Sequence, residues 1–442
     1  MLNKKALLLA VCGALSGGSA EQTIGAAGQQ GFGVGPYGGD EADLIAMGLS
    51  PMDGCYDITS DNYGNYLHTN GSVMCFIPAF CYRIGNSAAP SYSRDTKNAL
   101  EIRDAQEFES FVPGAAFTSA NMGDGWILHR AFVDGGVVKR GFFIDKYLCS
   151  NQNGVAASVK GADWLMCYND ASKTYYTKSL GGDCIGQAYD AITLSRARGD
   201  QYALVTCYQW SAIAMISLAH GQAATSADAC AWYDSAHTKN FPKGNTNQLK
   251  DYNDSSLTFT THTYGSPFAK TGTCSNFAKS THNGQNNGVA DVAGMCNQWV
   301  IGATNYSSAK VYLMKTSIAA HDVTKDNVVS SSIADTMSVY GDGGYYFAGS
   351  PALSTGTSGT SWAQCGVIPP SKVTSANNLF GGDEYREYYG STVGLKVGLG
   401  YSWGSTAGVW CRSFYGCNNN GRYNYWISSN VYFGFRASGY AS

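Results

Sequence analysis

Trp410-Cys-Arg-Ser-Phe-Tyr-Gly-Cys-Asn-Asn-Asn-Gly-Arg-Tyr-Asn-Tyr-Trp-Ile-Ser-Ser-Asn-Val-Tyr-Phe-Gly-Phe-Arg436 contains no Asp, Glu, Lys or His. Its charges are Arg412, Arg422 and Arg436, and most of the remainder is Asn, Tyr, Ser, Gly, Cys and large aromatics. Tyr and Trp supply broad, stiff contact area, while Asn, Ser and Gly supply adaptable hydrogen bonding. Such a stretch suits contact with a partner better than the making or breaking of bonds. Alternate residues of any strand within it must face inward. Phe433 and Phe435 are therefore expected in the core, and Gly434-Phe435-Arg436 is expected to close the fold.

A chain of 442 residues has room for two or three domains. Its low charged fraction of 14%, its 13% aromatics and its 54 glycines against 10 prolines predict a loop-rich, β-containing globular protein. A formal net charge of −3 gives no general attraction to nucleic acid or to acidic membranes, so no nucleic-acid partner is expected. The 14 cysteines are scattered, with no CxxC pair and no metal-ligand spacing, which argues against zinc. Cys411 and Cys417, six residues apart, are a candidate pair for a disulfide, but most cysteines are expected to be small buried hydrophobes. At the start of the sequence Lys4 and Lys5 precede an apolar run from Ala6 to Val11, and Gly18-Ser19-Ala20 has the form of a cleavage site. A secretory signal and a retained segment that docks into a larger assembly both fit it. No run is long enough to span a membrane.

Residues 1–45 read as a Gly-rich arm or linker, including Gly31-Phe-Gly-Val-Gly35. A small β-rich attachment domain is expected over 46–124. Within it, Asn65-Tyr66-Leu67, the Asn70-Gly71 turn and Ser72 to Phe80 predict a hairpin, since Asn-Gly supplies the positive φ that a tight turn needs. Leu100 to Phe111 reads as a short helix with Glu101, Asp104, Glu107 and Glu109 on its wet side. Strands are expected over Gly125–Phe132 and Val137–Asp145, and an apolar helix over 203–220 around Trp210. The third domain, 125–442, carries polar insertions at about 221–285 and 303–400 and the variable stretch 410–436.

Four segments in order resemble the formylglycine-generating-enzyme-like branch of the C-type lectin fold. Gly141-Phe-Phe-Ile-Asp-Lys-Tyr147 is similar to the family's opening strand, and the helix around Trp210 to its first core helix. Asn287-Gly-Val-Ala-Asp291-Val-Ala-Gly294-Met-Cys-Asn-Gln298-Trp299 is similar to its D-x-x-G-N-x-x-E-W turn. Arg412-Ser-Phe and Gly434-Phe435-Arg436 are similar to its closing strands. The resemblance spans roughly 125–440 and implies an α+β, C-type lectin fold. It departs at Met295, where the family usually has Asn, and at Gln298, where it has Glu. The copper-binding cysteine pair of the oxidising enzymes is absent, since Arg422 stands five residues after Cys417. The seven histidines (68, 129, 220, 237, 262, 282 and 321) lack the HxxxH spacing of the iron-binding relatives. No catalytic residue, metal or other cofactor is therefore expected, and an oxidase of either type is the least favoured reading.

The closing segment resembles more closely the variable region of diversity-generating retroelement target proteins, which include phage tail-tip receptor binders. In that family Asn codons of a template are copied with errors into codons for other residues. The resemblance implies ligand-binding roles for Phe414, Tyr415, Asn418, Asn419, Asn420, Tyr423, Asn424, Tyr425, Ile427, Ser428, Ser429, Asn430 and Tyr432. Trp410, Arg412, Trp426 and Gly434-Phe435-Arg436 fall where the family keeps its framework. The implied partners are a host cell-surface protein or glycan and, through the N-terminal region, components of a virion tail. A homotrimer follows from the family. A bacterial surface protein with the same variable face is the alternative location.

Other motifs have plainer readings. Trp210 and Trp299 suit core packing, and Asp291 suits a turn cap that accepts backbone N–H bonds. Asp53, Asp57 and Asp61 form a loose carboxylate string without the Gly and terminal Glu of a calcium loop. No motif gathers Ser, His and Asp into a nucleophilic triad.

Overall fold

The Asn-Gly turn forms as expected. Gly71 adopts φ 87°, its N–H donates to His68 O at 2.8 Å, and the Asn70 side chain accepts from Ser72 N at 3.0 Å. These bonds set the register Tyr66↔Met74 and Leu67↔Val73 between the strands Asn65–His68 and Val73–Pro78. The computed structural model describes residues 22–166, 188–305, 312–328, 330–336, 343–346, 384–387, 394–399, 412–416 and 433–441. Over these residues the protein is mixed α/β, mostly sheet with few helices.

The hairpin belongs to a six-stranded antiparallel sheet. Its spatial order is Leu49–Pro51, Asn65–His68, Val73–Pro78, Gly141–Asp145, Ala437–Gly439 and Tyr202–Leu204. The two central strands are apolar and buried on both faces. Phe76 and Phe143 turn to one side, where Tyr37 and Tyr66 complete an aromatic cluster, while Ile77, Phe142 and Ile144 turn into the main core.

This sheet takes strands from both sides of the expected boundary at 124/125. A second sheet does the same, running Leu100–Asp104, Phe80–Ile84, Trp126–Leu128 and Asn121–Gly123. Residues 46–124 therefore share their core with the rest of the chain rather than standing apart as an attachment domain. The described part of the expected arm also differs from its expectation. Ile24, Phe32 and Val34 are buried in the main core, Asp104 accepts from Ile24 N, and the Asn283 side chain donates to Phe32 O. The small residues there let the backbone run close to the core, which composition alone presents as a linker.

The expected helix at 100–111 is instead the strand Leu100–Asp104 followed by one 3-10 turn, Ala105–Glu107. Pairing with Phe80–Ile84 overrides the helical spacing of the acidic residues. Glu101 faces Arg83 across the ladder in a two-pronged ion pair of 2.9 and 3.0 Å. Asp104, read as a wet-face residue, is buried and caps the turn by accepting from Gln106 N. Trp126–Leu128 and Gly141–Asp145 realise parts of the two strands expected after residue 124, with a 3-10 turn at Arg130–Phe132.

The apolar helix is Cys207–Ala223. Thr206 accepts from Gln209 N at 3.0 Å and the Gln209 side chain accepts from Thr206 N at 2.8 Å, a reciprocal capping box. The helix is buried from Cys207 to Gly221, Trp210 included, so packing on all sides stabilises it. Thr206→Ala should lower stability by about 1 kcal/mol, read as a shift of the urea unfolding midpoint. None of the described helices is long and apolar enough to cross a membrane.

Leu257, Phe259 and Phe268 of the expected polar insertion alternate inward and join Leu148, Trp164, Met295 and Cys296 in a second core. The eight described free cysteines are all buried. Cys411, Cys417 and residues 1–21 lie outside the described residues.

Candidate ligand-binding face

The chain enters the Asn/Tyr-rich stretch on one strand and leaves it on another. Arg412–Gly416 pairs antiparallel with Gly394–Leu399 and parallel with Glu384–Glu387 inside a seven-stranded sheet. Phe433–Phe435 runs parallel to Asn297–Trp299, with Gln298↔Gly434 and Trp299↔Phe435 in register. Phe414 and Tyr415 lie on the first of these strands. The other expected contact residues, Asn418, Asn419, Asn420, Tyr423, Asn424, Tyr425, Ile427, Ser428, Ser429, Asn430 and Tyr432, lie outside the described residues, as do Trp410, Arg422 and Trp426.

The exit strand is anchored by the buried guanidinium of Arg436. Its Nε donates to Gln298 Oε1 at 2.8 Å and its Nη1 to Asp145 O at 3.1 Å and Lys146 O at 2.9 Å. Its Nη2 donates to Ala290 O at 2.6 Å and Asp291 O at 3.4 Å. One side chain thus ties the opening strand, the Asp291 turn and the closing strand together. Burial pushes the Arg436 pKa below its usual value, and the nearby Asp291 and Asp145 oppose that shift. Gln298 accepts from Arg436 without adding a charge.

Asp145 completes the anchor. Its buried carboxylate takes Arg198 Nη1 at 2.5 Å and Nη2 at 2.9 Å, and accepts from Ala437 N at 2.8 Å. Asp291 accepts a backbone N–H, as expected, but from a distant segment and not from its own turn. At φ 54° its carboxylate accepts from Thr271 Oγ1 and from Gly272 N, both at 2.7 Å. Burial raises its pKa, while Thr271, Arg436 and Gly272 pull it down. Phe435 and Trp299 are buried in the main core, as expected. Gly434 is required by close approach: a Cβ there would meet Cys296 Sγ at 2.9 Å and Leu148 and Trp164 at 3.2 Å.

The remaining candidate chemistry has structural partners. Asp57 accepts from Thr59 N and Oγ1, and Asp61 accepts from the Asn286 side chain. Among the described residues no three His, Cys, Asp or Glu side chains group as metal ligands. Sequence reasoning had no signal for how deeply several histidines lie. His129 is ringed by Phe80, Tyr82 and Phe132, His220 stacks on Phe32, and His282 Nδ1 accepts from Val289 N. Burial pushes their pKa values down to about 3, about 4 and about 3. A cleft of about 560 Å³ lies between the Leu100–Asp104 strand and the end of the Cys207–Ala223 helix. Its arginines are already matched, Arg94 with Asp95 and Arg103 with Glu107, so they offer little free charge to a ligand.

No protein-family model matches this chain, and no curated protein is detectably similar to it.

Proposed function

We propose that this protein is a ligand-binding adhesin with a C-type lectin fold of the formylglycine-generating-enzyme-like type, whose variable stretch contacts a host cell-surface protein or glycan. A phage tail fibre or tail tip is its setting. The observation that carries this reading is the pairing of an acid-free, Asn/Tyr-rich segment with a rigid exit. The strand that ends at Gly416 precedes residues 417–432 in the chain, and the strand that begins at Phe433 follows them, three residues before the buried Arg436. Such a scaffold tolerates exchange of the intervening residues, because the bonds that hold the closing strand belong to framework positions. Binding rests on Tyr and Phe anchors rimmed by Asn and Ser, and several copies on one particle, such as a trimer, raise modest affinity by effective concentration.

Titrating labelled protein onto a panel of bacterial cells and an immobilised glycan array tests the reading. Saturable binding to one host or glycan class is expected, and absence of binding across both panels counts against it. Diversification has its own test in the neighbouring DNA. A near-copy of the region encoding 410–436, with adenines at the variable codons and beside a reverse transcriptase gene, is expected. Its absence removes the diversification claim and leaves the binding claim standing.

The bacterial-surface alternative rests on Lys4, Lys5 and the apolar run after them. A native N-terminal mass showing cleavage after Ala20, or lipid on Cys12, would place the protein there.

A further inference from the structure

Lys146 follows the central strand Gly141–Asp145 directly, and its side chain is buried beside Asn65, the first residue of Asn65–His68. Lys146 Nζ lies 2.6 Å from Asn65 Oδ1, 2.7 Å from Asn286 O and 3.4 Å from Asp61 O. The Asn65 amide cannot turn freely. Its Nδ2 donates to Asn287 O at 2.8 Å and Tyr63 O at 3.1 Å, and Cys75 Sγ lies 3.6 Å from it. The carbonyl end of the amide is therefore held against the amine. With a C=O bond of about 1.23 Å, that contact leaves Cγ roughly 3–4 Å from Nζ, so a small rotation suffices to bring the pair to attacking distance.

We propose that Lys146 and Asn65 are the two halves of an intramolecular isopeptide bond. Nζ attacks Asn65 Cγ, the Nζ–Cγ bond forms and the Cγ–Nδ2 bond breaks. Nδ2 departs as ammonia, taking up one proton given up by Nζ. If the lysine begins as ammonium, the nitrogen leaves as ammonium, so the step needs no oxidant, reductant or second substrate. Burial pushes the Lys146 pKa down to about 8, with Lys160 adding to the shift and Cys75 and Asp61 opposing it. A nucleophilic fraction of neutral amine is thus present in mildly alkaline solution. The Phe277 ring, 5.5 Å from Nζ, adds an apolar wall. The bond would join positions 81 residues apart and cross-link two strands that both pair with Val73–Pro78. It does not depend on the ligand-binding reading.

Mass spectrometry of a protease digest of the denatured, reduced full-length protein tests this. The expected result is a branched peptide joining the fragments that contain Asn65 and Lys146, lighter than their sum by one ammonia. In Lys146→Arg, which keeps the charge, and in Asn65→Ala, the same digest should yield only the separate fragments. Two separate fragments of sequence mass from the wild-type protein would overturn the proposal. So would an ammonia loss that maps to Asn70-Gly71 as a succinimide. The wild-type result decides the matter whether or not the variants fold.

Discussion

Arg436→Met is expected to destabilise the protein by about 3–5 kcal/mol, the usual cost of breaking a buried, fully bonded charged group by removing one side. Methionine fills much of the volume but takes the Arg436 donor away from Asp145 O, Ala290 O and Gln298 Oε1, while Lys146 O keeps Ala290 N–H and Asp291 O keeps the Gln298 amide. Each buried acceptor left unmatched costs about 1–3 kcal/mol before relaxation. Total stabilities are about 5–15 kcal/mol, so this one change would consume a large share. Arg436→Lys should fall between, because one ammonium cannot span acceptors that a planar guanidinium reaches together. Urea unfolding followed by circular dichroism measures the effect. A midpoint for Arg436→Met corresponding to less than about 1 kcal/mol of lost stability would show that the closing strand is held by something else.

Mild acid is expected to unfold the protein through His129, His220 and His282. Their folded pKa values, about 3, about 4 and about 3, lie below the unfolded value of about 6.5. The unfolded chain therefore binds protons that the folded chain refuses. The stabilisation is fully present above about pH 6.5 and is lost as pH falls toward the folded values. Each histidine's contribution approaches about 1.4 kcal/mol per pH unit below the unfolded pKa, so the three together remove about 5 kcal/mol between pH 6.5 and 5. Asp104, Asp134 and Asp291 act in the opposite sense. Burial raises their folded pKa values, so they favour the folded state as pH falls through the range between folded and unfolded values. A urea midpoint that declines steeply from pH 6.5 to 5 is expected, with His282→Gln reducing the slope by about a third. A flat profile over that range would mean that these rings take up protons without unfolding.

Local signals made the hairpin and the apolar helix legible in the sequence alone. Asn70-Gly71 dictates its own turn, and the run around Trp210 is too apolar to sit anywhere but a core. Leu100–Asp104 misled because acidic residues three apart mimic a helix face, while strand pairing with Phe80–Ile84 is a long-range fact. The segment near Gly31 misled for a related reason. Glycines that let Phe32 and Val34 press into the core read, one residue at a time, as a linker. The joining of Val73–Pro78, Gly141–Asp145 and Ala437–Gly439 in one sheet is equally invisible to local pattern, which is why a domain boundary was expected at 124/125. At the candidate face, the resemblance implied a set of contact residues, and motif order drew attention to Arg436. Neither could say that Gln298, Asp145 and Asp291 converge on the closing strand, nor that Lys146 would be buried beside an asparagine.

Binding by a scaffold-matched variant is the most direct measurement of the central claim. Replacing Tyr423, Asn424, Tyr425, Ser429, Asn430 and Tyr432 with alanine and glycine leaves every bond of Arg436 in place. On the proposed reading these positions face the ligand and not the core, so each change should shift stability by less than about 0.5 kcal/mol. The urea midpoint should stay near the wild-type value while binding to the host cells or glycan that the parent protein recognises falls by at least about tenfold, a loss of about 1.4 kcal/mol. Unchanged binding by a folded variant would contradict the account and move the contact surface elsewhere on the molecule.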